Sequence, residues 1–138
     1  MTSANADAQN LALLRLKKNE DRRLRAGHSW IYSNEVDSQA TPLTGFVPGQ
    51  QVVVVASNGK AMGLAYVNPH SLIAARLFNR EGHPLDRSLI VHRLKIALSL
   101  RERLFPTPHY RLVHGEADGL PGLVVDRYGD VVVAQITT

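Results

Sequence analysis

The residues of this 138-residue sequence that could bind a ligand most directly form one basic cluster near the N-terminus. Between positions 11 and 30, six basic groups accompany two acids, and this segment accounts for the whole net charge of +4. Ammonium and guanidinium groups neutralise phosphates and release counterions, so the cluster predicts contact with a polyanion. A solvated basic helix without a ligand is the alternative interpretation. The candidate cations are Lys17, Lys18, Arg22, Arg23 and Arg25.

Aromatic and imidazole side chains follow these cations directly. Trp30, the only tryptophan, and His28 come shortly after Arg25, and a ring at this position could stack on an unpaired RNA base. Trp30 could instead be a core residue, and His28 could cap the end of a helix. Arg76 lies in the apolar run SLIAARLF, so its side chain should face solvent or a bound anion. We therefore include His28, Trp30 and Arg76 among the candidate RNA-binding residues.

Four acids around the segment EADGLPGLVVDRYGD could suggest a metal site or an acid–base pair. They are Glu116, Asp118, Asp126 and Asp130. Hard cations need several converging oxygens, and glycosidase-type chemistry needs two carboxylates at a defined separation. Aspartates beside glycines are also ordinary turn residues. We interpret the segment as turns around a short strand, with metal binding as the lesser alternative.

The sequence lacks the motifs of several enzyme classes. It contains no cysteine, which excludes disulfides, thiolate metal sites and a cysteine nucleophile from these residues. The six histidines show no ligand spacing such as HExxH, and no GxGxxG, P-loop or GxSxG motif occurs. We therefore expect this chain alone to be non-catalytic and to hold neither a metal nor a cofactor.

The elements that must position the basic cluster are short. Alternation predicts a strand over residues 11–17, and Asn19 should cap a helix over 20–25 that Gly27 closes. Further strands are predicted over 28–36, 51–56, 61–67 and 71–78, with a tight turn at Asn58-Gly59. Strands this short and closely spaced favour a small barrel or β-roll over residues 11–80.

A change in composition near residues 80–86 predicts a domain boundary. Asp86 should cap a helix over 87–104, because apolar residues recur there at three- and four-residue spacing until Pro106. Strands should follow over 110–114, 123–126 and 131–136. The predicted fold class is mostly β or α+β, with a second domain over residues 86–138 built from one helix and antiparallel strands.

The two ends of the sequence bear on its location and completeness. Residues 1–10 are polar and are expected to form a disordered leader without a signal sequence. No apolar run approaches the ~20 residues of a membrane span, so we expect a cytoplasmic protein without membrane contact. The sequence stops inside the β-branched run VVVAQITT, and we therefore expect it to be part of a larger protein.

Three segments in this order resemble one protein family: LRLKKNEDRRLRAGHSWIYSNEV, GQQVVVVASNGKAMGLAYVNPHSLIAARLF and RLVHGEADGLPGLVVDRYGD. They are similar to the N-terminal part of the S-adenosylmethionine-dependent methyltransferases that modify carbon 5 of cytosine in large-subunit ribosomal RNA. The resemblance implies a PUA domain, a small RNA-binding β-barrel, over residues 11–80. It implies the truncated start of a central α/β domain over 86–138, and the absence of the C-terminal Rossmann-like methyltransferase domain.

The resemblance also implies how function is divided in the parent protein. The methyl-donor site and a catalytic cysteine belong to the family's C-terminal domain, so S-adenosylmethionine is expected for the full-length parent only. An RNA-facing role, which would position large-subunit rRNA for methyl transfer, carries over to the segment from Lys17 to Trp30 and to Arg76. A homodimer is left open. Two rival hypotheses are a stand-alone PUA-type RNA-binding accessory protein and a small hydrolase that uses Glu116 and Asp118.

Overall fold

The computed structural model describes residues 11–138, so the predicted leader over residues 1–10 lies outside the described residues. The chain divides into two compact units, the first ending at Leu85 and the second spanning Asp86–Thr138. Each unit has its own apolar core. No helix in this described part of the chain is long and apolar enough to cross a membrane.

Five short strands form one mixed sheet in the first unit. In chain order they are β1 (Ala12–Arg15), β2 (Trp30–Tyr32), β3 (Gln50–Val55), β4 (Ala61–Val67) and β5 (Ile73–Asn79). The sheet order is β1-β3-β4-β5-β2, with β1 parallel to β3 and the other pairs antiparallel. The predicted hairpin between β3 and β4 is confirmed, and Gly59 takes a positive φ of 88° in its turn.

The sheet is open rather than closed, which corrects the expected barrel. β1 and β2 are its two edge strands, and the segments that follow them meet only at an isolated bridge between Leu16 and Val36. The core lies against one face of the sheet, where Leu14, Val52 and Val54 are completely buried. Not every other side chain of β3, β4 and β5 is exposed, because Leu64, Ala74 and Phe78 are buried outside this core cluster, whereas Tyr66 and Arg76 are half-buried.

The helix predicted over residues 20–25 is shorter than expected. The helix α1 spans Arg22–Arg25, and Asp21 precedes it without a capping hydrogen bond from its side chain. Asn19 lies in a turn with a φ of 70°, so the prediction that it caps the helix was wrong. Gly27, with a φ of 104°, does follow the helix end as predicted. The strand predicted over 28–36 also ends early, because Ser33–Glu35 form a 3₁₀ turn.

The second unit combines one helix with a three-stranded antiparallel sheet, as the sequence predicts. The helix α2 spans Arg87–Leu104, and the Asp86 carboxylate accepts a hydrogen bond from the Leu89 amide at 2.9 Å. The strands are β6 (His109–His114), β7 (Leu123–Tyr128) and β8 (Val131–Ile136), in that order in the sheet. The chain as a whole is therefore an α+β protein with two mixed or antiparallel sheets and few helices.

Candidate nucleic-acid interface

The basic cluster occupies the turn after β1 and the short helix α1. Lys17, Lys18 and Arg22 are exposed, and none of the three forms an ion pair with any residue between 11 and 138. Their charges therefore face solvent, where an anion can replace their counterions. We call these three residues the exposed cations.

Buried carboxylates hold the other two arginines of α1. Arg25 pairs with Asp21, and Arg23 pairs with Glu35 at an Nη1–Oε1 distance of 3.5 Å. The acidic side chains are only 8% and 9% exposed, whereas Arg25 and Arg23 keep 60% and 42% of their side-chain surface in solvent. A buried carboxylate is costly without a partner, so these arginines stabilise the local fold and still present part of their charge.

The strand β2 carries two aromatic rings, and each has an arginine over it. Trp30 and Tyr32 flank Ile31, which is buried in the core, so alternation places both rings on the outer side of the strand. The Cζ atom of Arg76 lies 5.2 Å from the Trp30 ring centroid, and that of Arg23 lies 5.0 Å from the Tyr32 centroid. Both are cation–π distances. Arg23 therefore connects the basic helix to the aromatic side of β2.

Trp30 is 36% exposed, so the alternative in which it is a core residue was wrong. Arg76 is half-buried and its guanidinium lies over that ring, so it is not a fully solvated surface arginine. Strand register places Arg76 opposite Trp30 on one side and opposite Tyr66 on the other, so the three side chains share one face. The sequence analysis missed Tyr66. Its position between the buried Ala65 and Val67 indicates that the Tyr66 side chain points outwards. It does not reveal which residues of the neighbouring strands lie beside Tyr66.

Arg80 fixes the end of α1 and was also missed by the sequence analysis. Its Nη1 donates to the Leu24 carbonyl at 2.6 Å, and its Nη2 donates to the His28 carbonyl at 2.9 Å. Carbonyl groups at a helix C-terminus lack partners within the helix and carry partial negative charge, which a guanidinium satisfies. Arg80 therefore makes the contact at the helix end that was the alternative role of His28, and the His28 side chain is exposed.

Arginines engage the acids of the second unit. Asp118 accepts two hydrogen bonds from Arg101 at 2.8 and 2.9 Å and a third from the His114 amide at 2.7 Å. Arg111 donates to Asp126 at 2.9 Å, and this hydrogen bond lowers the pKa of the Asp126 carboxyl below its ordinary value. In the described part of the chain, no three potential ligands gather into a metal-binding group. These contacts favour the structural, turn-forming interpretation of Asp118 over an acid–base role.

Residues 14–80 match the family model described as a PUA-like domain. Over 88% of its length the chain is 35% identical to the ribosomal RNA large subunit methyltransferase I of Vibrio cholerae, and it covers 30% of that protein. Over 99% of its length it is 34% identical to the ribosomal RNA large subunit methyltransferase of Deinococcus radiodurans, of which it covers 35%. The chain therefore spans about a third of the length of the curated relatives it matches.

Solved structures share the same fold. A proposed SAM-dependent methyltransferase from Streptococcus mutans superposes on 93% of this chain and 34% of its own, with a TM-score of 0.75 and 16% identity. A proposed methyltransferase complexed with SAH covers 93% of this chain and 33% of its own, with a TM-score of 0.76 and 17% identity. At these identities the likeness establishes the fold alone.

Proposed function

We propose that this chain binds RNA as part of a large-subunit rRNA methyltransferase. The match of residues 14–80 to the PUA-like domain model and the similarity to about a third of the length of such enzymes support the proposal. One observation carries the proposal: the exposed cations Lys17, Lys18 and Arg22 lie in the segment that leads through α1 into the aromatic strand β2. Phosphates supply the affinity of most nucleic-acid complexes, and aromatic rings beside cations suit RNA in particular.

The anchored arginines add rigidity to this surface. Arg23 and Arg25 are held by carboxylates, and Arg80 holds the carbonyls at the end of the helix. A surface that is fixed before binding loses little conformational entropy when RNA arrives. The basic segment would therefore grip the RNA backbone and orient the RNA relative to the rest of the parent protein.

We place methyl transfer itself in the part of the parent outside residues 11–138. The proposed reaction is transfer from S-adenosylmethionine to carbon 5 of a cytosine in large-subunit rRNA, in the cytoplasm. No described loop joins a strand to a helix through a glycine-rich turn, which is the arrangement typical of Rossmann-like cofactor sites. These residues do not fit the cofactor, so their proposed role is to hold and position RNA.

The test neutralises the exposed cations together, with Lys17→Gln, Lys18→Gln and Arg22→Gln in one variant. The affinity for a labelled single-stranded RNA is measured by fluorescence anisotropy over a range of salt concentrations. Each lost phosphate contact should reduce the slope of log K against log[salt] by about 0.7, so the slope should become shallower by about 2.

A matched control removes the same charge from exposed positions elsewhere: Lys60→Gln, Arg87→Gln and Lys95→Gln. Its slope should stay close to that of the wild type. If the first variant keeps the wild-type slope, or if both variants lose equally, the exposed cations are not the RNA-binding surface.

A further inference from the structure

We propose that Trp30, Arg76 and Tyr66 form a stacking site for one unpaired nucleobase on the outer face of the first sheet. The inference rests on the proposed RNA-binding function and adds which state of RNA the surface selects. The RNA at this point is single-stranded, because only an unpaired base can present its flat face to a side chain.

The register of the sheet builds the site across three neighbouring strands. Trp30 on β2 pairs with Arg76 on β5, and Arg76 pairs with Tyr66 on β4. Directly opposite residues of antiparallel strands have their Cβ atoms about 5 Å apart, so the three side chains form one continuous row. The residues next to them on the same strands, Ile31 and Ala75, are buried, which confirms that the row lies on the outer side.

The row is held in place before any ligand arrives. The guanidinium of Arg76 lies over the indole at 5.2 Å, and β5, which carries it, is paired with a strand on each side. Yet Trp30 still exposes 36% of its surface, although tryptophan is usually well buried. A rigid, exposed indole offers a large flat surface at little entropic cost, which is what stacking on a base requires.

Cations also lie near this row, and a nucleotide needs them because its phosphates are negatively charged. Tyr32 follows Trp30 on the outer side of β2, and Arg23 of the basic helix lies over its ring at 5.0 Å. The Tyr32–Arg23 pair therefore links the strand that carries Trp30 to the helix α1. We therefore expect the phosphates of a nucleotide that stacks on Trp30 to contact cations of α1.

The single tryptophan of the chain makes the test direct, because its fluorescence reports on this site alone. The wild-type chain is titrated with a single-stranded RNA of about ten nucleotides, with a duplex of the same length, and with inorganic polyphosphate. We expect the single strand to quench the indole emission. Duplex and polyphosphate should bind through the cations and leave the emission nearly unchanged. Equal quenching by all three would overturn the proposal.

Variants separate stacking from folding. Trp30→Leu should weaken single-strand binding about tenfold, which corresponds to one stacked base, and should leave duplex affinity unaltered. Trp30→Phe keeps a ring and should restore most of the loss, whereas a merely structural role would not distinguish single strand from duplex. Tyr128→Leu, which removes an exposed ring from the second unit, should have no effect.

The failure of this inference is distinguishable from failure of the proposed function. If single strand and duplex both bind with the expected salt dependence but Trp30→Leu weakens them equally, stacking is wrong and RNA binding stands. If neither RNA binds in a salt-dependent manner, both proposals fail.

Discussion

Replacing Arg80 with methionine should loosen the end of the basic helix while Lys17, Lys18 and Arg22 stay unchanged. The substitution keeps an apolar stem and removes the donors that reach the Leu24 carbonyl at 2.6 Å and the His28 carbonyl at 2.9 Å. Hydrogen bonds from charged groups contribute about 1.5–3 kcal/mol when shielded, and Arg80 is exposed, so about 0.5–1.5 kcal/mol for each is appropriate. Arg80→Met should therefore lower the free energy of unfolding of the first unit by about 1–3 kcal/mol.

Two measurements on the full chain check this expectation. Urea denaturation gives the free energy of unfolding, and amide hydrogen exchange reports on the helix end. The amides of Ala26, Gly27 and His28 donate to carbonyls of α1 and should lose protection selectively in Arg80→Met. Arg87→Met serves as the control, since Arg87 is exposed and a surface change should stay within about 0.5 kcal/mol. Unchanged stability together with unchanged exchange at these three amides would refute the assigned role of Arg80.

Two further predictions concern the second unit. Asp118→Asn breaks a shielded ion pair with Arg101 and weakens the hydrogen bond from the His114 amide. The free energy of unfolding measured in urea should therefore fall by about 2–4 kcal/mol. A decrease below about 1 kcal/mol would contradict this role of Asp118. The hydrogen bond from Arg111 lowers the pKa of Asp126, so this pair stabilises the fold above the unfolded pKa and loses its effect as pH falls through the lower folded pKa. An NMR titration should show the Asp126 pKa rising towards its ordinary value in Arg111→Gln. If the pKa of Asp126 is the same in this variant as in the wild type, Arg111 is not what lowers it.

Local signals predicted most of the secondary structure. The hairpin at Asn58-Gly59 and the helix capped by Asp86 both depend on residues close in sequence, and both are confirmed. Asn19 shows the limit of such signals. An asparagine before a basic run suits a helix cap, but it equally tolerates the positive φ of the turn that the structure contains.

Contacts across the sheet could not be predicted from local patterns. Tyr66 and Arg76 become neighbours of Trp30 only through strand register. Arg80 contacts α1 at Leu24, a residue 56 positions earlier in the sequence. The open sheet has the same origin, because alternation predicts which residues of a strand face inwards but not whether the edge strands β1 and β2 pair. The candidate residues were therefore found by type, and their arrangement required the structure.

The most direct measurement is a map of amide chemical-shift changes when single-stranded RNA is added to the ¹⁵N-labelled chain. RNA binding by the basic surface predicts the largest changes at residues 17–32 and at Arg76, together with a shift of the Trp30 indole N–H. Residues 86–138 should change little. Largest changes within 86–138, or no changes at RNA concentrations that saturate binding, would contradict the assignment of RNA binding to this surface.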